Sequence, residues 1–456
     1  MDLRSEEFAI CLRFWFMRKM KDSGIKWIGK IPDTWNVIRL KNASWLKGRI
    51  GWQGLRAEEF TDEGPFLITG TDFKNGYVDW NTCVHISEER FNQDLTIQIK
   101  ENDLLITKDG TIGKLAVAKN CPEKVSLNSG VFIIRNTGKY KYDDKFMYYL
   151  LQSREFTLWF DLSNAGNSTI CHLNQEKFYN FKFAYPPLPE QKKIADYLDG
   201  KCSDIDQIRA DIEKQIEILT DYKKSVITEA VTKGLDPKAK MKDSGIEWIG
   251  QIPEHWEVKP LWALTECYGR IGFRGYTAED LVDEGEGAIT LSPTNINEGK
   301  LTLEKCSYIS WEKYYESPEI MVKENDVLLV KTASVGKCVI YTSSEPATVN
   351  PQFVVFKKCK CLNKFLYYNI LSDFIQKQLK LSSMGSVIPT LSQKVILSYK
   401  IPTPPLFEQK SIADYLDEKC SEIEIAIAEK QKQFDTLEEY KKSLIFEYVT
   451  GKKEVV

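Results

Sequence analysis

Few residues of this 456-residue chain stand at spacings that suggest chemistry. Gly110–Lys114 reads Gly-Thr-Ile-Gly-Lys, two residues short of the Gly-x4-Gly-Lys-Ser/Thr loop that cradles phosphates with backbone N–H groups. The three histidines and eleven cysteines follow none of the usual zinc-ligand spacings, and with only three histidines we find no hydrolytic constellation. We therefore predict a β-turn at Gly110–Lys114, no metal site and no hydrolytic centre.

Methyl transfer is the other chemistry that the sequence suggests. Asn350-Pro351-Gln352-Phe353 is similar to the Asn-Pro-Pro-Tyr/Phe box of adenine methyltransferases, but the second proline is missing. No glycine-rich loop suited to S-adenosylmethionine follows a predicted strand. We interpret the segment as strand-edge structure and predict that the chain has no catalytic centre. Two alternatives stay open at this point: a DNA methyltransferase or nuclease in its own right, and a scaffold that pairs other proteins without touching DNA.

The elements that would position a functional site come from an internal duplication. Residues 20–35 and 241–256, the opening motifs of the two copies, are identical at twelve of sixteen positions. Further repeats are EQKKIADYLD and EQKSIADYLD, at 190–199 and 408–417. Residues 1–19 have no counterpart in the second copy. We interpret them as a dispensable extension, or as residues that precede a natural start at Met20.

Long helices are predicted at 190–233 and 408–450, each after a proline-rich turn and before a stop at Gly234 or Gly451. Apolar residues recur at steps of three or four, which is typical of a stripe that approaches a coiled-coil seam. In the first helix the stripe consists of Ile194, Leu198, Cys202, Ile205, Ile208, Ile212, Ile216, Leu219 and Tyr222. About 42 residues at roughly 1.5 Å each make a rod of about 60 Å. Since each stripe is too long for one domain to cover, we expect the helices to pack on each other in antiparallel orientation; the alternative is two ordinary bundle helices.

Two variable regions, roughly 36–185 and 257–403, precede the helices and are rich in Val, Ile, Thr, Tyr and Phe. Buried strands such as Val327–Val330 and intervening turn signals predict a mixed α/β globule in each region. The formal charge of −3 by itself indicates no nucleic-acid partner. The globules contain 19 basic against 18 acidic residues and 17 against 16, whereas the helices at 190–234 and 408–449 contain 14 basic against 21 acidic residues. Near-neutral globules permit a basic face, so this distribution allows DNA binding without establishing it.

Base reading requires side-chain donors and acceptors that reach a groove edge, and aligning the copies gives matched candidates. The segments 49–54 and 270–275 share two glycines, which indicates a tight exposed loop. There Arg49 and Arg270 would hold a phosphate, while Gln53 and Arg274 would read different bases; the alternative is a solvated hairpin. The other candidates are polar residues of predicted loops and strand ends, for which turn chemistry is the alternative. They are Thr71, Asp72, Lys74, Lys108, Asn128, Asn164, Asn167 and Ser168 in the first copy, and Thr294, Asn295, Asn297, Lys331, Asn350, Ser382, Ser383 and Ser386 in the second.

The opening motifs SGIKWIGKIPDTW and SGIEWIGQIPEHW, with the helix starts PPLPEQKKIADYLD and PPLFEQKSIADYLD, resemble the specificity subunits of type I restriction-modification systems. The resemblance runs from Met20 to the end of the chain. It implies that the globules are target recognition domains, that each reads half of a bipartite site in double-stranded DNA, and that the paired helices set the distance between the halves. It also implies that two methyltransferase subunits dock on the helices and that restriction subunits with translocase activity join them. S-adenosylmethionine, ATP and magnesium are expected on those partners, and no cofactor on this chain.

The expected fold class is mixed α/β, with two similar target recognition domains separated by two long antiparallel helices that form a coiled coil with pseudo-twofold symmetry. The expected segments are an extension at 1–19, a first recognition domain at 20–188, a central helix at 189–234, a linker and second recognition domain at 235–406, a C-terminal helix at 407–451 and a tail at 452–456. Because the globules have diverged while the helices have not, we expect an asymmetric target with two different half-sites around a spacer of unread bases. The resemblance, the odd number of cysteines and the lack of a secretory signal or a long apolar run predict a prokaryotic, cytoplasmic chain without a membrane partner.

Overall fold

The computed structural model describes residues 18–49, 55–136, 139–165, 172–270, 275–297, 299–384 and 388–455. The chain divides into two compact units. Unit 1 takes its residues from Met1–Asp211 and Gln433–Val456, and unit 2 comprises Ile212–Lys432. Unit 1 is therefore discontinuous along the chain, whereas unit 2 is continuous.

Unit 1 is a mixed α/β structure. Its strands are β1 (Met20–Asp22), β2 (Lys30–Pro32), β3 (Asn36–Arg39), β4 (Ser44–Lys47), β5 (Thr61–Ile68), β6 (Phe73–Lys74), β7 (Tyr77–Val78), β8 (Val84–His85), β9 (Leu104–Thr107), β10 (Leu115–Val117), β11 (Val125–Leu127), β12 (Val131–Asn136) and β13 (Lys182–Tyr185). Its helices are α1 (Glu88–Asn92), α2 (Asp144–Gln152), α3 (Arg154–Asn164), α4 (Gln175–Tyr179) and the first part of α5 (Leu188–Lys233).

Two sheets of unit 1 share an apolar core. One has the strand order β4-β12-β9-β10-β7-β6 and the other has the order β11-β5-β8. The sequence of strand β9 is apolar without interruption because both faces of the strand are buried. Leu105 faces the core between the sheets, while Leu104 and Ile106 face a second core that α2, α3 and α4 cover. A strand buried on both faces has no polar alternation, as the sequence predicted for this strand type.

Unit 2 repeats this architecture. Its strands are β14 (Met241–Asp243), β15 (Gln251–Pro253), β16 (Glu257–Pro260), β17 (Glu266–Tyr268), β18 (Leu281–Val282), β19 (Gly287–Leu291), β20 (Ile296–Asn297), β21 (Lys300–Leu301), β22 (Ser307–Ser310), β23 (Val327–Val330), β24 (Cys338–Ile340), β25 (Ala347–Val349), β26 (Phe353–Lys357) and β27 (Lys400–Thr403). Its helices are α6 (Leu261–Leu264), α7 (Trp311–Tyr315), α8 (Asn363–Leu371), α9 (Asp373–Ser382), α10 (Gln393–Ser398) and the first part of α11 (Leu406–Val449). The main sheets have the orders β17-β26-β23-β24 and β18-β22-β19-β25, so the duplication in the sequence is a duplication of fold.

The long helices run antiparallel within unit 1. The ring centroids of Tyr197 on α5 and Tyr448 on α11 lie 4.6 Å apart. Further along α5, Asp206 pairs with Lys441, which lies earlier on α11, at 2.6 Å. Residue numbers thus rise on one helix as they fall on the other. Helices of 46 and 44 residues at roughly 1.5 Å per residue are each about 65–70 Å long.

The same antiparallel packing occurs within unit 2, between the second part of α5 and the first part of α11. Ile227 of α5 shares a core with Leu416 of α11, and Lys223 pairs with Glu424 at 2.7 Å. The apolar stripe predicted for α5 is only partly buried, because Ile208 and Tyr222 are 48% and 56% exposed. The buried members of the stripe are Ile194, Leu198, Cys202, Ile205 and Ile212. The mixed α/β class and the two long helices expected from the sequence are confirmed.

The Glu-Gln pair at the start of each long helix joins the helix to its unit. Glu190 accepts a hydrogen bond from the indole N–H of Trp35 at 2.8 Å and pairs with Arg18. Gln191 is fully buried; its amide oxygen accepts from the N–H of Asp143 at 2.9 Å and its amide nitrogen donates to the carbonyl of Pro186 at 2.8 Å. Arg18, which belongs to the segment 1–19 that has no counterpart in the second copy, takes part in this contact.

Unit 2 makes the corresponding contacts with Glu408 and Gln409. Glu408 accepts from the indole N–H of Trp256 at 2.9 Å, and Gln409 bonds the N–H of Leu362 and the carbonyl of Pro404, each at 2.8 Å. The repeated Glu-Gln sequence is therefore explained by a repeated set of buried hydrogen bonds. These bonds hold the globular part of each unit at a defined position on the helix that follows it.

Glycines end both long helices, as the sequence predicted. Gly234 and Gly451 have φ angles of +75° and +70°, which favour glycine. A Cβ atom at Gly451 would lie 2.5 Å from Pro32 and 2.9 Å from Trp35, so close packing also requires glycine there. The end of α11 consequently packs directly on the opening motif of unit 1. None of the described helices has a stretch long and apolar enough to cross a membrane.

Glu155, in the first turn of α3, is a buried carboxylate in unit 1. It is 0% exposed, and neither oxygen forms a well-aligned hydrogen bond with a described residue. Burial raises the pKa of Glu155 to about 8, and the N–H of Ala184 and the charge of Lys452 oppose this shift only in part. The folded state therefore retains a proton that the unfolded chain releases above about pH 4.5, which lowers stability progressively as the pH rises to about 8.

We expect Glu155→Gln to stabilise the protein at pH 8 and to have little effect at pH 5. The gain at pH 8 is expected to be on the order of 2 kcal/mol, because the variant has no charge to desolvate. Urea unfolding at both pH values measures it. Glu176→Gln is the matched control, since Glu176 is exposed in the first turn of α4. Equal gains at the two pH values, or an equal gain in the control, would contradict this account.

Candidate nucleic-acid interface

Three strands of unit 1 end side by side. The parallel strands β5 and β11 finish together, with Leu127 paired to Ile68. Asn128 follows at once, and its N–H donates to the Ile68 carbonyl at 2.9 Å. Strand β9 ends beside them, because the N–H of Lys108 donates to the Gly130 carbonyl at 2.9 Å. We call this surface the polar edge of unit 1; it comprises the segments 69–76, 108–114 and 128–130.

Unit 2 has a polar edge built on the same backbone hydrogen bonds, at 292–297, 331–337 and 350–352. The N–H of Asn350 donates to the Leu291 carbonyl at 2.9 Å, and the N–H of Lys331 donates to the Gln352 carbonyl at 2.7 Å. A further segment joins the edge in each unit. Leu173 in unit 1 and Leu391 in unit 2 donate to the carbonyls of the matched lysines, each at 2.9 Å.

The matched arginines at these edges are buried. Arg49 is 1% exposed and its Nε donates to the Leu127 carbonyl at 2.8 Å. Arg270 is 5% exposed and its Nε donates to the Val349 carbonyl at 3.1 Å. Burial lowers the pKa of both guanidinium groups. The prediction that they stand on an exposed loop and hold a phosphate is wrong, because both anchor the residues after β4 and β17 to the ends of β11 and β25.

Asp72 and Asn295 are also internal, at 3% and 4% exposed. Asp72 accepts from the N–H of Thr69 at 2.7 Å, and Asn295 accepts from the N–H of Ser292 at 2.9 Å. Each closes a short 3-10 turn, so the alternative of turn chemistry describes both residues and their selection as exposed base readers is corrected. The exposed candidates of these two loops are Thr71, Lys74, Thr294 and Asn297.

Comparison with known proteins gives the family. A family model described as the type I restriction modification DNA specificity domain matches residues 32–218 and 286–436. The chain belongs to this family. It is a DNA specificity subunit of a type I restriction-modification system, and its role is DNA sequence recognition rather than catalysis.

Individual relatives agree with this assignment. The type I restriction enzyme MjaVIII specificity subunit of Methanocaldococcus jannaschii is 28% identical over 93% of this chain and 94% of the relative. The type I restriction enzyme EcoBI specificity subunit of Escherichia coli is 25% identical over 87% of this chain and 81% of the relative. A chain from a solved structure concerned with complex assembly and conformational transition of the type I R-M system has a similar fold, with a TM-score of 0.69, 15% identity, and coverage of 93% of this chain and 99% of the other.

The strand-end lysines of the specificity subunit, Lys108 and Lys331, have backbones fixed by the hydrogen bonds described above. Lys108 and Lys331 are half-buried, and the Nζ of Lys108 lies 5.0 Å from the ring centroid of Phe132. The neighbouring asparagines have internal partners. Asn128 accepts from the N–H of Leu55 at 3.3 Å, while Asn350, 9% exposed, donates to the side chain of Gln352 at 3.0 Å. In unit 2 the lysine is therefore more exposed than the asparagine, whereas Lys108 and Asn128 in unit 1 are both half-buried.

Two groups of candidates, around Asn164 and around Ser382, were predicted in polar loops. Each group starts at the C-terminal end of a helix. Asn164 is the last residue of α3, and its side-chain oxygen accepts from Lys177 at 3.2 Å. Ser383 is 8% exposed and its hydroxyl donates to the Lys380 carbonyl at 2.9 Å, so its selection as an exposed contact is corrected. Ser382 ends α9 and is exposed. The remaining candidates lie outside the described residues: Gln53, Asn167, Ser168, Arg274 and Ser386.

The structure adds polar-edge residues that the sequence reasoning did not select. Lys114 and Lys337 are exposed at matched positions in the turns after β9 and β23. The Nδ1 atom of His172 lies 2.5 Å from a carboxylate oxygen of Asp109 on the same edge. From the sequence, Gly110–Lys114 was interpreted as a β-turn, and neither lysine was selected as a DNA contact.

Proposed function

We propose that this specificity subunit binds an asymmetric, bipartite DNA site, with each polar edge reading one half-site. The observation that carries the proposal is that the two edges have the same backbone hydrogen bonds but different exposed side chains. Lys74 in unit 1, for example, matches Asn297 in unit 2, so equivalent positions present a cation and an amide. Different side chains on equivalent frameworks select different bases.

Gln53 and Arg274 are our candidates for base readers that differ between the half-sites. Each follows a buried arginine, Arg49 or Arg270, that fixes the start of its segment at the polar edge. We expect Gln53→Ala or Arg274→Ala to relax recognition at one base position. Equal discrimination by variant and wild type would exclude that role.

The long helices also contribute to the proposed function. We infer that they set the spacer between the half-sites and form the platform on which two methyltransferase subunits dock, with restriction subunits joining that assembly. Their acidic excess and their many exposed polar side chains support a partner surface. In this proposal S-adenosylmethionine, ATP and magnesium belong to the partner subunits.

The lysine at the end of β23 provides a direct test of DNA binding. Lys331→Ala is expected to weaken binding to specific and unrelated DNA alike, because a phosphate contact carries no sequence information. The dependence of log affinity on log salt should decrease by about 0.9 for one lost phosphate contact. Titrations of the assembled complex with DNA at several salt concentrations measure both effects. Lys400→Ala, at an exposed position on β27, is the control, and an unchanged salt dependence in Lys331→Ala would contradict the contact.

Mapping methylated adenines across the host genome, with and without this gene, tests the proposed function as a whole. We expect one bipartite, asymmetric methylated motif to disappear when the gene is removed. An unchanged methylation pattern would argue for a scaffold without DNA specificity. Methyl transfer by the purified chain alone, with DNA and labelled S-adenosylmethionine, would instead place a catalytic centre on this chain.

A further inference from the structure

Helix α7 of unit 2 presents an exposed aromatic pair, Trp311 and Tyr315, which we call the aromatic patch. The two side chains are 39% and 64% exposed, with ring centroids 6.2 Å apart and ring planes inclined by 28°. Tyr314 between them is buried in a small core with Ile309, so the helix is fixed and the patch faces outward. Apolar surface in this arrangement is stabilised when a partner covers it.

Unit 1 lacks the patch at the equivalent place. Helices α1 and α7 both follow a serine N-cap, and α1 carries Glu88 and Asn92 where α7 carries the two aromatic residues. Glu88 pairs with Lys124 at 2.5 Å, and the position that matches Lys124 in unit 2 is Pro346. The difference between the units is therefore the replacement of an ion pair by an exposed aromatic surface, at one site per chain.

The surroundings of the aromatic patch are acidic. Gly287 pairs with Ser310, which brings the preceding turn at 283–286 beside the start of α7. Three of the four residues in that turn are Asp or Glu, and Glu312 is exposed on α7 itself. Carboxylates around an aromatic pair favour a cationic ligand, because a cation is attracted both to the ring faces and to the negative charges.

The location of the patch argues against contact with DNA phosphates. Strand β19 begins at Gly287, beside the patch, and ends at Leu291, on the polar edge. Four residue steps along a strand cover roughly 13 Å, so the patch and the polar edge lie at opposite ends of one strand. The acidic turn at the patch end would repel a phosphate backbone.

We propose that the aromatic patch is a docking site for a basic segment of a protein partner, whose arginine or lysine side chains stack on Trp311 and Tyr315 and pair with the neighbouring carboxylates. The site does not depend on the DNA-reading proposal, because it lies away from the polar edge. Since unit 1 lacks the patch, each chain holds one such partner, even where other partners bind the two copies equally.

A labelled hexa-arginine peptide is the probe for this site, with the full chain as receptor and a mixed-sequence DNA duplex as the second ligand. The test variant is Trp311→Ala/Tyr315→Asn, which keeps the charge of the patch and places at 315 the residue that α1 already carries. Trp262→Ala is the matched control, because Trp262 is another exposed tryptophan of unit 2, at 67%. We expect the peptide affinity of the double variant to fall about fivefold, as the loss of two cation–π contacts predicts, while duplex binding stays unchanged.

Three outcomes would overturn the proposal. The first is a peptide affinity that falls no more in the test variant than in the control: unchanged affinity in both would leave only general charge attraction, and an equal loss would assign the binding to exposed tryptophans in general. The second is a loss of duplex binding in the test variant, which would assign the patch to DNA. The third is concentration-dependent self-association of the wild-type chain, measured by sedimentation, that the double variant loses.

Discussion

Inserting four residues into the middle of each long helix, after Lys214 and after Lys432, is expected to shift the preferred DNA spacer to a longer length. Four helical residues add roughly 6 Å, which is between one and two base-pair steps of about 3.4 Å. Binding to the native site should fall on the order of a hundredfold, because one half-site then lies out of register and each lost base contact costs about 1–3 kcal/mol. Affinity measurements with a series of sites that differ only in spacer length give the result.

The linker between the copies offers a control for this experiment. Four residues inserted after Pro237, beyond the end of α5, lengthen the chain without lengthening either helix. The preferred spacer of that variant should remain the native one. If the variants with longer helices also kept the native spacer, the helices would not set the distance between the half-sites.

Replacing Gln191 with alanine is expected to lower the free energy of unfolding by about 3 kcal/mol. The side chain is 0% exposed, and its loss leaves the N–H of Asp143 and the carbonyl of Pro186 without their partner in the interior. Each buried polar group left unpaired costs about 1–3 kcal/mol. Urea unfolding followed by circular dichroism measures the change, and Gln409→Ala should have a similar effect through unit 2.

Gln207 provides the matched comparison on the same helix. It is exposed, and its side chain bonds only locally to Asp211 at 3.1 Å among the contacts of the described residues. Gln207→Ala should change stability by less than about 0.5 kcal/mol. Comparable losses in the two variants would show that the buried hydrogen bonds of Gln191 do not determine the effect.

The long helices were predictable because their signals are local. Proline turns, acidic first turns and terminal glycines specify a helix within a few residues of chain, and α5 and α11 begin within two residues of the predicted starts. The packing of the two helices on each other was predicted from the length of the apolar stripes. The exposure of Ile208 and Tyr222 was not, because the periodicity of a sequence gives the face of a helix but not where its partner leaves that face uncovered.

The site was less predictable, since a polar residue in a loop looks the same whether it faces solvent or closes a turn. Arg49 and Arg270 were identified as a matched pair, but their role as buried anchors depends on carbonyl groups that are 78 and 79 residues away in the chain. Asp72 and Asn295 were matched correctly as well, and each serves as a turn cap. The internal alignment thus located equivalent positions reliably, while tertiary contacts decided what each position does.

The discontinuity of unit 1 has a consequence for how the chain is synthesised. Residues 433–455 supply Leu444, Ile445 and Val449 to its core, and Lys452 donates to the Ile28 carbonyl at 2.6 Å. When residues 212–432 have left the ribosome, all of unit 2 has been made. Unit 1, most of which was made earlier, still lacks these apolar residues. Unit 1 cannot complete its core until residues 433–455 have been made, so nascent chains truncated before residue 433 expose the unfinished core of unit 1 to chaperones and proteases.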